Sequence, residues 1–290
     1  MNNPFDIKRI PAPAIEKANL AKFTTFQLGG SCPLLVYCET PLQVKNVVQY
    51  FFEHDIEKFI TIGEGSNVLV SDQGIDEYVI RFYTNHADIQ CHENEVNVGA
   101  GTKLDDVALF CAQKGLEGFN FASGIPGTVA GAISGNAGAF GHQISETIKN
   151  IVILNRDGEE KTLSPEQCLF AYRYSRFKDS TEIIIKATFH LHQGSAAALL
   201  KEREEILRTR REKHPDYRKT PCAGSFFKNI ESTDPLERRQ AAGLFLEQVG
   251  AKTMSVGGAG VFDKHANIII KKTNQCTASD VYALSQKMQK

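Results

Sequence analysis

Between Gly115 and Gly141 the chain places eight of its 23 glycines. Glycine loses more conformational freedom on folding than any other residue. Such density therefore implies left-handed backbone, or a backbone that approaches a ligand closely. The segment is rich in Ala, Ser and Thr and carries no charge after Glu117. A disordered linker would lack Ile125, Val129, Ile133 and the phenylalanines Phe119, Phe121 and Phe140. The segment reads as an ordered, apolar loop system whose bare amides face a bound group, and a phosphorylated cofactor suits it.

A length of 290 residues with 42% hydrophobic content allows two or three modest domains, each with its own core. The net charge of -1 and a pI near 6.7 argue against nucleic acid as a partner. The N-terminal residues carry charges throughout and no apolar core, unlike a signal peptide, and no apolar run is long enough for membrane insertion. Seven cysteines are scattered without a CxxC pair, which suits reduced thiols better than disulfides or a zinc site. A soluble, cytoplasmic globular protein is expected.

Thr40-Pro41 followed by Leu42, Val44, Val47, Val48, Phe51 and Phe52 predicts a helix with Thr40 as its N-cap. Phe59–Ile62 reads as a short strand, Gly63 to Asn67 as a glycine turn, and Val68–Val70 as a second strand. Tyr78–Phe82, Ile89–Cys91 and Glu95–Val98 continue as β segments. Leu104, Val107, Ala108 and Cys111 share one helix face, and that helix stops at Gly115. Further β runs are predicted at Ile151–Leu154, before a turn at Asn155–Gly158, and at Ile183–Ile185. Composition shifts after Gly194, where Ser195 can cap a long charged helix that His214-Pro215 ends. The remainder mixes a loop at Gly224–Asn229, a helix from Arg238 to Val249, a β run at Ala266–Ile270 and a helix from Ser279. The class is α+β.

Ile62 leads into Gly63, Glu64, Gly65, Ser66 and Asn67, where unobstructed amides and a serine hydroxyl could donate to a pyrophosphate. Alone the loop is weak evidence, because Gly-Ser-Asn is ordinary turn composition. No GxGxxG opens a helix and no GxxxxGK[ST] loop is present, so neither a Rossmann fingerprint nor an NTPase loop is indicated. The stretch Gly124, Pro126, Gly127, Thr128, Gly131, Ala132, Asn136, Ala137 and Gly138 is more specific. Pro126 rigidifies the turn, and Gly127 onward can begin a helix whose first amides suit a phosphate. The alternative is a tight helix–sheet crossing that needs small residues. Two glycine loops without an Asp/His cluster for a metal favour a dinucleotide cofactor.

Tyr172-Arg173-Tyr174-Ser175 places an arginine among aromatics, where its planar fork could grip a carboxylate or an enolate. A structural ion pair accounts for that arginine equally well. Gly224-Ser225-Phe226-Phe227-Lys228-Asn229 offers a hydroxyl, but no GxSxG elbow marks a hydrolase. Such a hydroxyl could still protonate a carbanion if its own proton is restored. The dispersed histidines, among them His142, His214 and His265, read locally as structural or solvated.

Taken in order, the motifs resemble the UDP-N-acetylenolpyruvoylglucosamine reductase (MurB) family. The matching pieces are Phe23 to Phe26 with Gly29-Gly30, Ile62 to Val70, Gly124 to Gly141, Tyr172-Arg173 with Ser175, Gly224 to Asn229, Ala242-Gly243 with Glu247, and His265 to Asn267. The resemblance implies a two-domain FAD-binding fold of the vanillyl-alcohol-oxidase (PCMH) type plus a C-terminal α+β substrate domain. On this chain those parts would be FAD-binding subdomains at 1–78 and 79–194, then a connector helix and substrate domain at 195–290. It also implies non-covalent FAD, NADPH as reductant, a nucleotide-sugar substrate and a monomer.

In the implied reaction, hydride passes from NADPH by way of FAD to C3 of an enolpyruvyl ether, and C2 is left as a carbanion or enolate. Arg173 matches the arginine that holds the substrate carboxylate, and Ser225 matches the proton donor to C2. Tyr172, Gly224, Lys228, Asn229 and His265 fall at substrate positions. The short segment between Arg173 and the long helix indicates the subclass without an extra substrate-clamping loop. Family chains continue past the last helix into an LEPE-like segment whose glutamate completes the catalytic group, and no residue here matches it. A second reading is therefore a flavin-binding protein of the same fold with impaired or no reductase activity. An oxidase with histidine-linked flavin is disfavoured, because no histidine lies between Gly63 and Val70.

Overall fold

The computed structural model describes residues 5–231 and 239–290. They gather into two compact units that do not follow chain order. The first takes the segments up to Lys17, Pro33–Glu64 and Asp76–Arg208; the second takes Ala18–Cys32, Gly65–Ile75 and Thr209–Lys290.

The first unit holds most of two sheets. Strands β1 (Ala14–Asn19), β2 (Ser31–Cys38), β3 (Phe59–Ile62) and β4 (Tyr78–Phe82) form a sheet in the order β1-β2-β4-β3. β4 runs parallel to both β2 and β3. Parallel neighbours need a crossover, and helix α1 (Pro41–Glu53) supplies it between β2 and β3. Thr40 and Gln43 close a capping box at its start, while Val44, Val47, Val48 and Phe51 are buried. Leu42 and Phe52, expected on that apolar face, are exposed instead, because the sheet covers a narrower stripe.

Strands β5 (Ile89–His92), β6 (Glu95–Gly99), β7 (Ile148–Leu154), β8 (Glu160–Leu163) and β9 (Ile183–His190) make an antiparallel sheet in the order β8-β7-β9-β6-β5. Helix α2 (Leu104–Lys114) ends where Gly115 turns left-handed at φ 69°, as its sequence predicts. Helix α3 (Val129–Ser134) follows, and α4 (Ala196–Lys213) is the long charged helix. Val47, Phe51, Ile80, Val98, Phe119, Ile133, Ile151 and Phe189 belong to one buried cluster. The sequence places a boundary after Gly194, whereas the first unit continues to Arg208. Polar contacts hold the start of α4 there. Asn120 Nδ2 donates to the Leu199 carbonyl at 3.0 Å, and the buried Arg203 pairs with Asp105 at 2.7 Å.

The second unit is built on β10 (Cys222–Ser225), β11 (Ser255–Val256), β12 (Ala259–Phe262) and β13 (His265–Lys271), antiparallel in the order β10-β13-β12-β11. Helices α5 (Ala242–Gln248) and α6 (Ala278–Gln289) accompany it. Phe26, Leu28, Leu246, Ile269, Val281 and Leu284 belong to its core. The predicted helix from Arg238 starts later, since the Asn229 side chain accepts from the Ala242 amide at 3.2 Å and sets its first turn; Arg238 itself lies outside the described residues.

The predicted strand Val68–Val70 does not form. That segment packs against Gly29-Gly30: a Cβ on Gly29 would lie 2.5 Å from the Val70 Cβ, and the Gly30 amide donates to the Ser71 carbonyl at 2.7 Å. The backbone there answers a loop rather than a ladder. Among the described residues, no helix is long and apolar enough to cross a membrane.

Candidate active site

In the first unit the glycine segment meets the chain just past β3. A Cβ on Gly63 would sit 2.3 Å from Thr128 Oγ1, so only glycine lets this loop press against Thr128. Beside it the Gly127 amide donates to Glu64 Oε2 at 2.6 Å. Gly127 has φ 128°, a value that side chains rarely adopt, and Gly124 has φ 72°. The Gly124 amide in turn donates to Asp105 Oδ1 at 2.7 Å.

Helix α3 corrects one expectation. Its first amides do not await a phosphate: Val129 donates to the Thr102 carbonyl at 3.0 Å, Ala130 to Ala100 at 2.9 Å, and Gly131 to the capping Thr128 hydroxyl at 3.3 Å. Packing of α3 against the chain around Thr102 therefore consumes the donors that the sequence assigned to a ligand.

The amides of Gly124 and Gly127 point at carboxylate oxygens of Asp105 and Glu64, which a phosphate at this place would have to displace. Beyond them Gly131 is exposed, and a Cβ there would meet only Thr128 Oγ1, at 3.6 Å. On Gly135 a Cβ would meet only the Gly131 carbonyl, also at 3.6 Å. Anion-directed amides next to a strip without side chains fit a phosphate-bearing cofactor. Ala132 is buried on the other side of α3, under the core.

Lys103 and Asp105 belong to this neighbourhood, and sequence reasoning passed over both. The Lys103 ammonium lies 5.5 Å from the Tyr83 ring, on which Arg81 also stacks at 4.7 Å. Its hydrogen bond with Tyr83 raises it above the usual lysine value, against the effect of burial, with help from Asp106 and Glu64. No periodicity in the chain connects Lys103 to Tyr83. The signal was only that Asp105 and Asp106 open a helix directly before a glycine-rich stretch.

Asn136, Ala137 and Gly138 meet Tyr172 and Arg173. Ala171 and Tyr174 exchange backbone hydrogen bonds of 3.0 and 3.1 Å, which puts Tyr172 and Arg173 at the tip of a tight turn. Arg173 is left-handed at φ 54°, a strained conformation for a long side chain. Its Nη2 donates to the Gly138 carbonyl at 2.5 Å, and its guanidinium lies 5.6 Å from the Tyr172 ring. The buried Asn136 braces the turn by donating to the Ala171 carbonyl at 2.9 Å, and Ser175 Oγ donates to the Ser134 carbonyl at 2.8 Å. Among the described residues no carboxylate ion-pairs with Arg173. The structural ion pair that local sequence left open is absent among them, and the fork is steered by carbonyls alone.

The remaining candidates belong to the second unit. Gly65 is buried and close to the Phe23 carbonyl, 2.2 Å from where a Cβ would stand; Ser66 and Asn67 follow it toward solvent. Ser225 ends β10, paired with Ile268 after a register shift that follows Cys222. Gly224 is left-handed at φ 76° with open space where a Cβ would be, so the backbone bends and leaves the Ser225 side chain exposed.

Asn267 holds the chain beyond Ser225. Its carbonyl accepts from the Phe226 amide at 2.8 Å, its Oδ1 from Phe227 at 2.8 Å, and its Nδ2 donates to the Phe227 carbonyl at 2.9 Å. His265 supports Asn267 through a 3.2 Å bond from the Asn267 amide to Nδ1, and its ring faces His214 at 5.3 Å. Burial lowers the pKa of His265. Lys228 is exposed.

Comparison with known proteins bears on these elements directly. A family model described as an FAD binding domain matches residues 33–164, and one described as the UDP-N-acetylenolpyruvoylglucosamine reductase C-terminal domain matches residues 214–290. The UDP-N-acetylenolpyruvoylglucosamine reductase of Carboxydothermus hydrogenoformans is 35% identical over 97% of this chain and 90% of its own length. The chain belongs to the UDP-N-acetylenolpyruvoylglucosamine reductase family. The Pediococcus pentosaceus protein of that name is 37% identical over 92% of this chain and 85% of its own. The crystal structure of the MurB reductase from Thermus caldophilus superposes with a TM-score of 0.77 at 28% identity, covering 96% of this chain and 94% of that one. The expected α+β FAD-binding fold with a C-terminal domain is therefore present, and FAD is its cofactor.

Proposed function

We propose that this chain is a UDP-N-acetylmuramate dehydrogenase. It reduces UDP-N-acetylglucosamine enolpyruvate with NADPH, by way of FAD, to UDP-N-acetylmuramate for peptidoglycan synthesis. FAD supplies the hydride relay between reductant and substrate. The Gly124 and Gly127 amides and the Gly63 to Asn67 loop would hold the cofactor's phosphates. Ile62, Thr128, Gly131, Ala132, Asn136, Ala137 and Gly138 shape the surface against it. Residues 33–164 serve as the FAD-binding part and 214–290 as the substrate domain.

The Arg173 guanidinium binds the substrate carboxylate and stabilises negative charge as it develops on the enolate, where a preorganised cation is most effective. Ser225 Oγ delivers the proton to C2. Its exposure leaves the hydroxyl open to a substrate that then covers it and excludes water. Tyr172, Gly224, Lys228, Asn229 and His265 contact the nucleotide-sugar. The protein acts in the cytoplasm as a monomer.

The observation that supports this reading best is Arg173: a strained, carbonyl-steered fork without an ion-pair partner among the described residues, beside the glycine segment. Nothing observed favours a binding protein without reductase activity. Anaerobic NADPH oxidation that requires the enolpyruvyl substrate tests the proposal. Oxidation at the same rate without that substrate would defeat it.

A further inference from the structure

The second unit carries a cleft of about 420 Å³ that the reaction above does not use. Its walls include Arg218, Lys219, Lys271 and Lys272 together with Gln27 and Asn274, and no carboxylate lines it. Among the described residues none of these four cations is ion-paired. The chain as a whole is near neutral at -1, so the concentration of positive charge is local.

The walls are fixed rather than loose. Lys271 Nζ donates to the Gln27 carbonyl at 3.2 Å, and the Lys271 amide donates to the Pro221 carbonyl at 2.9 Å. Gln27 is left-handed at φ 52°, so strain is retained on the cleft wall itself. The cleft lies at the far end of β13 from His265, while its wall at Pro221 is three residues from Gly224. β13 begins at His265 and ends at Lys271, which separates them by roughly 20 Å along the strand.

We propose that this cleft is an anion site for a phosphorylated small molecule. Like charges in one concavity repel, and a multivalent anion relieves that repulsion while accepting several charge-assisted hydrogen bonds. The volume suits a small ligand. The reductase reading is not required for this site.

Inorganic pyrophosphate is the probe, titrated calorimetrically into the FAD-loaded full chain at low ionic strength. Two paired variants, Lys271→Gln with Lys272→Gln and Arg218→Gln with Lys219→Gln, are each expected to weaken binding at least about ten-fold. Lys228→Gln is the control at the proposed substrate contacts and leaves that binding event unchanged. Retained flavin absorbance and melting temperature establish that each variant is folded. Unchanged affinity in both cleft pairs, or a loss seen only in Lys228→Gln, overturns the proposal. Two sources of the phosphate are then separated by nucleotide binding. A fall in affinity for NADPH relative to NADH in the cleft variants identifies the reductant's extra phosphate as the ligand. An unchanged ratio with lost pyrophosphate binding identifies a free phosphate compound.

Discussion

The Arg173 guanidinium donates to the Gly138 carbonyl at 2.5 Å, joining residues 35 positions apart and aiming a long side chain from a strained turn. A fork held by neutral carbonyls keeps its full charge for a ligand. Arg173→Ala is expected to spare FAD binding and NADPH oxidation with a surrogate acceptor, yet slow enolpyruvyl reduction by about 10²-fold or more. Steady-state rates with both acceptors check this. Equal losses would assign Arg173 a structural role.

Gly127 couples a φ of 128° to an amide that engages Glu64. Gly127→Val would strain the backbone and misdirect that amide. The variant should purify without flavin while its second unit stays folded, as measured by the 450-nm-region absorbance and by circular dichroism. Full flavin content in the variant would refute the placement.

Ser225 stands exposed after a left-handed Gly224. In stopped flow, Ser225→Ala should keep flavin reduction by NADPH near normal, while reoxidation by substrate becomes very slow. Normal reoxidation would remove Ser225 from the mechanism and leave it a turn residue.

His214 is pushed down to about 4, first by burial and then by His265, Arg210 and Lys213. An unfolded histidine protonates near 6.5, so between pH 6.5 and about 4 the unfolded chain binds a proton that the folded chain refuses. Stability from this group is complete above that window and falls as pH drops through it. His214→Phe should flatten the decline in melting temperature across the window. Superimposable pH profiles for the two proteins would contradict the assignment.

Asp72 accepts from the Ala278 amide at 2.7 Å, the Ser279 amide at 2.8 Å and the Ser279 hydroxyl at 2.6 Å, tying the 65–75 loop to the start of α6. Burial alone would raise its pKa, but these bonds from Ser279 and Ala278 together hold the carboxyl below the ordinary range. Asp72→Ala should cost about 1–2 kcal/mol in denaturant unfolding with flavin retained. A change within error would mean that water replaces the cap.

Local chemistry was legible in the chain itself. Thr40 with its apolar stripe, the Leu104 to Cys111 face with its stop at Gly115, and Ser195 to His214 with a cap and a stop each signal a helix locally, and helices formed there. The glycine clusters and the order of the motifs likewise identified the family, because left-handed or crowded backbone demands glycine wherever it occurs. Tertiary structure decided what those local signals leave free. Val68–Val70 has strand composition but no ladder, since Gly29-Gly30 packs against it. The α3 amides look open in sequence, yet Thr102 and Ala100 consume them. Lys103 found Tyr83, Asp105 found Gly124, and four cations converged on one cleft. Such partners lie about twenty to fifty positions apart, and only the folded chain brings them within reach, because a hydrogen bond or an ion pair depends on distance in space.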